Sequence, residues 1–272
     1  MEDRRRLSKG MALGRLAVLV LVSLAVIVTS CRPQVEDRSL SRIKEAGELV
    51  IGVDPSYPPF ESVDGQGHLV GYDIDLAEYI AHRLDVRTRI VSIDIGGIQD
   101  ALLAKKFDVV ISSLPPAPEL TQKISYSSPY FNAGQVLVVN QTTDDVSSLK
   151  DLSGKTVGVE GASTGDIEVR KLATPSLNIA VRSYMAPDDA LAALKAKEVD
   201  ATVVDAVSAM EFIRREKGVK IVGQPLTVEP YVVAVRKADG LLLKEIDNAL
   251  AEMNSDGTTE KLQQKWLGAG GG

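Results

Sequence analysis

Beyond its first thirty residues the chain alternates short apolar runs with stretches whose apolar positions recur every three or four residues. Leu49–Val53 is a run of strand length, and Asp73–Leu84 follows with Leu76, Ala77, Ile80, Ala81 and Leu84 on one helical face. Val86–Ile93, Gly97–Ala104 and Asp108–Ser112 read as strand, helix and strand. After a proline-rich interruption, Gly134–Val139 is strand-like again. A second series comprises Thr156–Val159, a helix from about Asp166, Asn178–Arg182, a helix over Pro187–Lys195, and Ala201–Val204 leading into a helix over Ala206–Arg214. Tyr231–Val235 then precedes two closing helices, in which Leu243, Ile246, Leu250 and Met253 trace an apolar stripe. Strands alternating with amphipathic helices predict α/β sheets covered by helices on both faces. No short repeat is present; the two halves share only their rhythm.

The first thirty residues break this pattern. Arg4, Arg5, Arg6, Lys9 and Arg15 precede an apolar run from Leu16 to Val28, interrupted only by Ser23. The run is too short to cross a bilayer, which takes roughly 20 residues. A basic segment followed by a short apolar one predicts a secretory leader over 1–30. Its end, Val28-Thr29-Ser30-Cys31, resembles a bacterial lipobox, in which the cysteine takes a lipid and becomes the new N-terminus. The competing reading is a plain signal anchor with an incidental cysteine. Residues 31–42 are polar and serve as the expected tether. An extracytoplasmic body held to the membrane through Cys31 is the localisation this predicts.

Loss of the leader removes five basic and two acidic residues and takes the net charge from −6 to −9. An acidic body argues against nucleic acid as a partner. A single cysteine and two histidines, His68 and His82, exclude an intramolecular disulfide and a cysteine- or histidine-rich metal centre. Nothing in the pattern calls for a cofactor, and no nucleophile or His–carboxylate arrangement marks a catalytic residue.

Gly71-Tyr72-Asp73-Ile74-Asp75-Leu76 reads locally as a tight turn at Gly71 and a helix capped by Asp73. It also resembles, position by position, the bacterial extracellular solute-binding proteins of family 3, best known for polar amino acid uptake. The likeness spans nearly all of the body. Ile51-Gly52-Val53-Asp54-Pro55-Ser56-Tyr57-Pro58-Pro59-Phe60-Glu61 is similar to the family's first strand and loop, and Phe107 to Ser113 to its third strand. Leu152 to Val159 resembles the entry into its second lobe, and Asp256-Gly257-Thr258 with Lys265-Trp266-Leu267-Gly268 its closing helix. The resemblance implies a type II periplasmic-binding fold, two α/β lobes joined by two crossing strands. Lobe 1 would hold 43–132 and 230–268, and lobe 2 would hold 133–229. It implies a monomeric receptor that closes on a small polar solute and delivers it to the permease subunits of an ABC importer.

Open sheets place ligands beyond the carboxyl ends of their strands. Asp54 and Tyr57 follow the first strand, Ser112, Ser113 and Leu114 follow the third, and Asp205 ends Ala201–Val204. Ser163, Thr164 and Gly165 sit between a strand and a helix, where free N–H groups receive polar oxygens. Each has a plainer role: Tyr57 as loop packing, Ser112 and Ser113 as strand ends, Ser163, Thr164 and Asp205 as helix caps. In the family the aspartate matching Asp205 receives the ligand's ammonium, and Ile95 matches a bulky wall position.

The departure from the family lies in Ser112-Ser113-Leu114-Pro115-Pro116-Ala117-Pro118-Glu119-Leu120-Thr121. Amino-acid-binding members end this loop in an arginine that clamps the ligand's α-carboxylate. Here Leu120 takes that place, and Pro115 replaces a backbone N–H donor. Arg170 or Arg182 could replace the clamp; otherwise the ligand carries an amine without a conventional α-carboxylate, with Glu119 turning inward to help. Two alternatives share the fold. One is a cyclohexadienyl-dehydratase-like enzyme using Glu61, Glu119 or Glu160, and the other is a ligand-sensing receptor domain.

Overall fold

A computed structural model describes residues 36–174 and 177–268; the leader and Cys31 lie outside the described residues. Helix α1 (Ser39–Ala46) opens the fold, with Leu40 and Ile43 facing the core. The tether expected to run to Arg42 therefore ends sooner. Ile43 is fully buried, and Arg42 pairs with Asp108 at 2.6 Å. With only Leu40 and Ile43 apolar among mostly polar neighbours, the helix is too short to show in a periodicity reading.

Strand β1 (Glu48–Val53) is followed by the hairpin β2 (Ser62–Val63) and β3 (Leu69–Val70), then helix α2 (Tyr72–Arg83). β4 (Arg87–Ser92), α3 (Ile95–Leu103), β5 (Val109–Val110), a 3-10 turn at Pro118–Leu120 and β6 (Ile124–Tyr126) complete the first pass through lobe 1. The chain crosses on β7 (Phe131–Asn132) into β8 (Gln135–Asn140), β9 (Thr156–Glu160), α4 (Thr164–Leu172) and β10 (Ala180–Tyr184). α5 (Pro187–Lys195), β11 (Ala201–Asp205), α6 (Ala206–Glu216) and β12 (Val219–Val222) finish lobe 2. It returns on β13 (Pro230–Tyr231) to β14 (Ala234–Arg236), α7 (Gly240–Asp256) and α8 (Thr258–Leu267).

Two five-stranded sheets result, ordered β4-β1-β5-β14-β6 and β10-β9-β11-β8-β12. β1 runs parallel to β4 and β5, and β9 runs parallel to β10 and β11. β1 and β8 are buried along nearly their whole length because helices cover both faces, which is why they read as continuous apolar runs. The lobes are joined by the antiparallel β7–β13 ladder, Phe131 opposite Tyr231 and Asn132 opposite Pro230.

Two strands differ from expectation. Tyr231–Val235 is not one strand, because the chain changes partner within it. Tyr231 belongs to the hinge ladder, the Val232 N–H donates to the Leu114 carbonyl (3.0 Å), and Ala234 joins the lobe 1 sheet. The strand expected at Asp108–Ser112 is confined to Val109–Val110, and Ser113 turns away with a φ of 45°.

Gly71 begins α2 with a φ of 143°, and a Cβ there would run into the Phe60 carbonyl oxygen. This close approach lets Tyr72 and Asp73 donate their N–H groups to the carbonyls of Pro59 (3.1 Å) and Phe60 (2.9 Å). It sets the 57–61 loop against the helix start. Gly71→Ala combines a disallowed φ with backbone overlap, effects worth roughly 1–3 kcal/mol each. Urea unfolding should show a loss of about 2–5 kcal/mol.

Candidate ligand-binding cleft

A cavity of about 350 Å³ opens on lobe 1 where β1 and β5 end. That is within the size range of small-molecule sites. Of the residues singled out in the sequence, Asp54, Tyr57, Ile95, Ser112, Ser113 and Leu114 line it, and Ser56, Glu61, Pro115 and Tyr231 join them. Asp54 is fixed from two sides. Its N–H donates to Ser112 Oγ (2.9 Å), and its Oδ2 accepts the Ile95 N–H at the start of α3 (2.7 Å). Tyr57 stacks on Phe60 (5.9 Å between ring centres) and shares a 3.2 Å hydroxyl contact with Tyr231.

Beneath this surface lies a buried acidic cluster. Ser112 Oγ donates to Glu61 Oε1 (3.0 Å), and Ser113 Oγ donates to Glu61 Oε2 (3.2 Å). Asp73 Oδ2 accepts the Ser113 N–H (2.6 Å) and the Tyr130 hydroxyl (2.8 Å). Glu61 is 1% exposed and Asp73 fully buried. Burial, reinforced by the Asp73 carboxylate, pushes Glu61 up to about 10. Asp73 is also raised by burial, but Tyr130 and the Ser113 N–H oppose the rise. Asp73 Oδ1 is buried and meets no nitrogen or hydroxyl donor. The Glu61 and Asp73 carboxyl groups hydrogen-bond each other, a contact that needs a proton between them, so the pair carries one proton at neutral pH.

The remaining expected positions lie elsewhere. Leu120 is not in the cavity; it sits in the 3-10 turn and packs beside Ile98, Leu114 and Ile124. Glu119 is exposed and does not line the cavity. Ser163 caps α4 by accepting the Asp166 N–H (3.1 Å), and Thr164 and Gly165 form that helix's first turn. All three are on lobe 2 and stand outside the lobe 1 cavity. Asp205 caps α6 through the Ser208 N–H (2.8 Å). Its charge is felt at the cavity: Tyr57 and Tyr231 are held above the ordinary phenol range, first by burial and further by the Asp205 charge. Neither spare arginine supplies a clamp. Arg170 binds Asp166 (2.6 Å) and Ser183 (2.9 Å), and Arg182 lies 3.5 Å from Glu198. No lysine or arginine lines the cavity among the described residues.

Asp73 was expected as a helix cap and is none; Gly71 holds the N-cap position. The signal was present, since Asp73 precedes Leu76, Ala77 and Ile80 by three, four and seven positions and so shares their buried face. Tyr130 and Tyr231 carried no local signal. Tyr231 meets Tyr57 across 174 positions of sequence.

The folded protein holds the Glu61 proton up to about pH 10, whereas the ordinary carboxyl value is 4.5. Between these values the native state binds a proton that the unfolded chain releases. Stability of the ligand-free protein therefore falls as pH rises, by at most about 1.4 kcal/mol per pH unit. Urea unfolding between about pH 6 and 9 should show this decline, and Glu61→Gln should flatten it.

The family described as bacterial extracellular solute-binding proteins, family 3, matches residues 49–269. The L-cystine-binding protein TcyJ of Escherichia coli (strain K12) is 30% identical over 260 residues, covering 94% of this chain and 97% of that protein. The histidine-binding periplasmic protein of the same strain is 34% identical over 225 residues, covering 80% and 86% respectively. Among solved structures, an ancestral cyclohexadienyl dehydratase superposes with a TM-score of 0.74 at 28% identity, over 85% of this chain and 96% of that one. The two-sheet architecture is the type II periplasmic-binding fold, and the chain belongs to the bacterial extracellular solute-binding proteins of family 3.

Proposed function

We propose that this protein is the lipid-anchored, extracytoplasmic receptor of an ABC importer, and that its ligand is a small amine-bearing solute without a conventional α-carboxylate. The observation that carries the ligand class is the cavity lining: the Asp54 carboxylate, three serines (Ser56, Ser112 and Ser113), and no lysine or arginine among the described residues. An ammonium stripped of water needs carboxylate and hydroxyl acceptors. A carboxylate there would exchange its hydration for Leu114 and for Pro115, which has no N–H to give. The curated relatives are named for cystine and histidine, and this chain departs from such ligands at Pro115 and Leu120.

In the open form the ligand first meets lobe 1. Rotation about the β7–β13 ladder then brings Asp205 and the start of α4 over it, so the ligand favours closure by binding that state better. Asp205 supplies the second charge to the ammonium, while Ser163, Thr164 and Gly165 offer contacts to the rest of the solute.

Calorimetry should find amines bound at least about tenfold more tightly than the matching α-amino acids, the worth of roughly one charged hydrogen bond. Asp205→Asn keeps a side chain that caps a helix equally well. It should abolish binding without lowering the melting temperature. Tight binding of an ordinary α-amino acid by the parent would overturn the ligand class. For the anchor, Cys31→Ser should move the protein from the membrane fraction to the soluble one, or leave the leader uncleaved; unchanged partitioning and maturation would remove the lipid.

A further inference from the structure

We propose that Glu61 is a positioning residue for ligand selectivity: it takes the hydroxyl hydrogens of Ser112 and Ser113, so that the serine pair faces the cleft as hydrogen-bond acceptors only. This deepens the amine-binding function proposed above and rests on it. A serine hydroxyl has one hydrogen and two lone pairs. The Ser112 hydrogen goes to Glu61 Oε1 (3.0 Å), and one of its lone pairs takes the Asp54 N–H (2.9 Å). A single lone pair is left. The Ser113 hydrogen is shared between Glu61 Oε2 (3.2 Å) and Asp73 Oδ2 (3.4 Å), leaving two lone pairs. Both residues line the cavity.

The arrangement is locked from behind. Asp73 Oδ2 already accepts from Ser113 N–H and Tyr130, the Asp73 and Glu61 carboxyl groups hydrogen-bond each other, and Asp73 Oδ1 meets no nitrogen or hydroxyl donor. Turning either serine O–H toward a ligand oxygen strips a hydrogen bond from a buried carboxyl group, which is costly. An N–H donor from the ligand meets lone pairs already in place. A carboxylate meets the same lone pairs as repulsion. Glu61 thus acts on the ligand through the two hydroxyls.

Calorimetric titration with amine and amino acid pairs that differ only in the carboxylate (putrescine and ornithine, agmatine and arginine, histamine and histidine) reads this as a ratio of dissociation constants. The parent's preference within a pair tests the amine reading, and the change of ratio in Glu61→Gln tests the inference. The new amide gives one hydrogen to Asp73 Oδ1 and turns the other toward a serine oxygen, which swings its own O–H into the cleft. The ratio should move toward the amino acid by about tenfold. In a Ser112→Ala/Ser113→Ala background the same Glu61→Gln change should move it by less than about twofold, because its intermediaries are gone. Should Glu61→Gln fail to fold, Ser113→Ala carries the test: losing an acceptor should lower amine affinity relative to the amino acid, and an unchanged ratio there overturns the proposal. An unchanged ratio in folded Glu61→Gln, or a shift that survives removal of both serines, also overturns it. A parent that prefers the amino acid while the Glu61→Gln shift persists overturns the amine reading alone. A parent that binds neither member of any pair overturns both.

Discussion

The proton held between Glu61 and Asp73 is the constraint on which the cleft depends. Two carboxylates at this depth cannot both be charged without a cation, and among the described residues no cation reaches them: the Asp73 carboxyl meets Ser113, Tyr130 and Glu61. One proton resolves the conflict and ties together four stretches of chain. Glu61 comes from the loop after β1, Asp73 from the first turn of α2, Ser112 and Ser113 from the end of β5, and Tyr130 from the approach to the hinge. The left-handed backbone of Ser113, costly for a residue with a side chain, is held by its 2.6 Å N–H bond to Asp73. The shape of the cavity floor is therefore a consequence of a hydrogen-bond network, and hydrophobic packing alone would not reproduce it.

That floor is coupled to the hinge through one aromatic ring. Phe60 meets Phe131 of β7 edge-on at 5.0 Å and Tyr231 of β13 at 5.4 Å, and these two residues are directly opposed in the hinge ladder. The residue before Glu61 thus touches both crossing strands. On the other side, Val207 of α6 is buried in the lobe 1 core although its helix belongs to lobe 2. Asp205 caps that same helix. The Asp205 charge, to which the closure proposed above gives a ligand role, is thereby carried on an element already seated against lobe 1.

The order of strands and helices was legible because burial on both faces writes itself into composition. α5 is found at Pro187–Lys195 as expected, since proline at its first position and apolar residues at helical spacing both mark it. The cleft residues that follow strand ends on lobe 1 were legible for the same reason: topology puts them there. What the chain did not reveal was partnership. The apolar run at 231–235 gives no sign that its first residue pairs with β7 and its last with β5 and β6. Leu120 could be aligned with a ligand-binding position, yet only packing shows that it prefers the core beside Ile98 and Ile124. Asp73 misled because a carboxylate near a helix start is ordinarily a cap, and burial at such depth is tolerable only with a proton that sequence does not show.

Lobe 2 completes the electrostatic case. The start of α4 is the second place where an anionic ligand group could settle, since helix N-termini attract negative charge. That capacity is already taken up internally. Asp166, in the first turn, accepts the Ala162 N–H through Oδ2 (3.1 Å) and binds Arg170 through Oδ1 (2.6 Å). It brings its own negative charge to the helix end, and the arginine that could have compensated a ligand carboxylate is committed to it and to Ser183. On the ligand reading proposed above, an incoming carboxylate would find the Arg170 charge already committed on one lobe, and Asp54 with acceptor-only serines on the other. An incoming ammonium would find Asp54 and the serines as partners. No lysine or arginine lining the described cleft stands in for the arginine that the resemblance implies at Leu120, and the amine ligand proposed above does not need one.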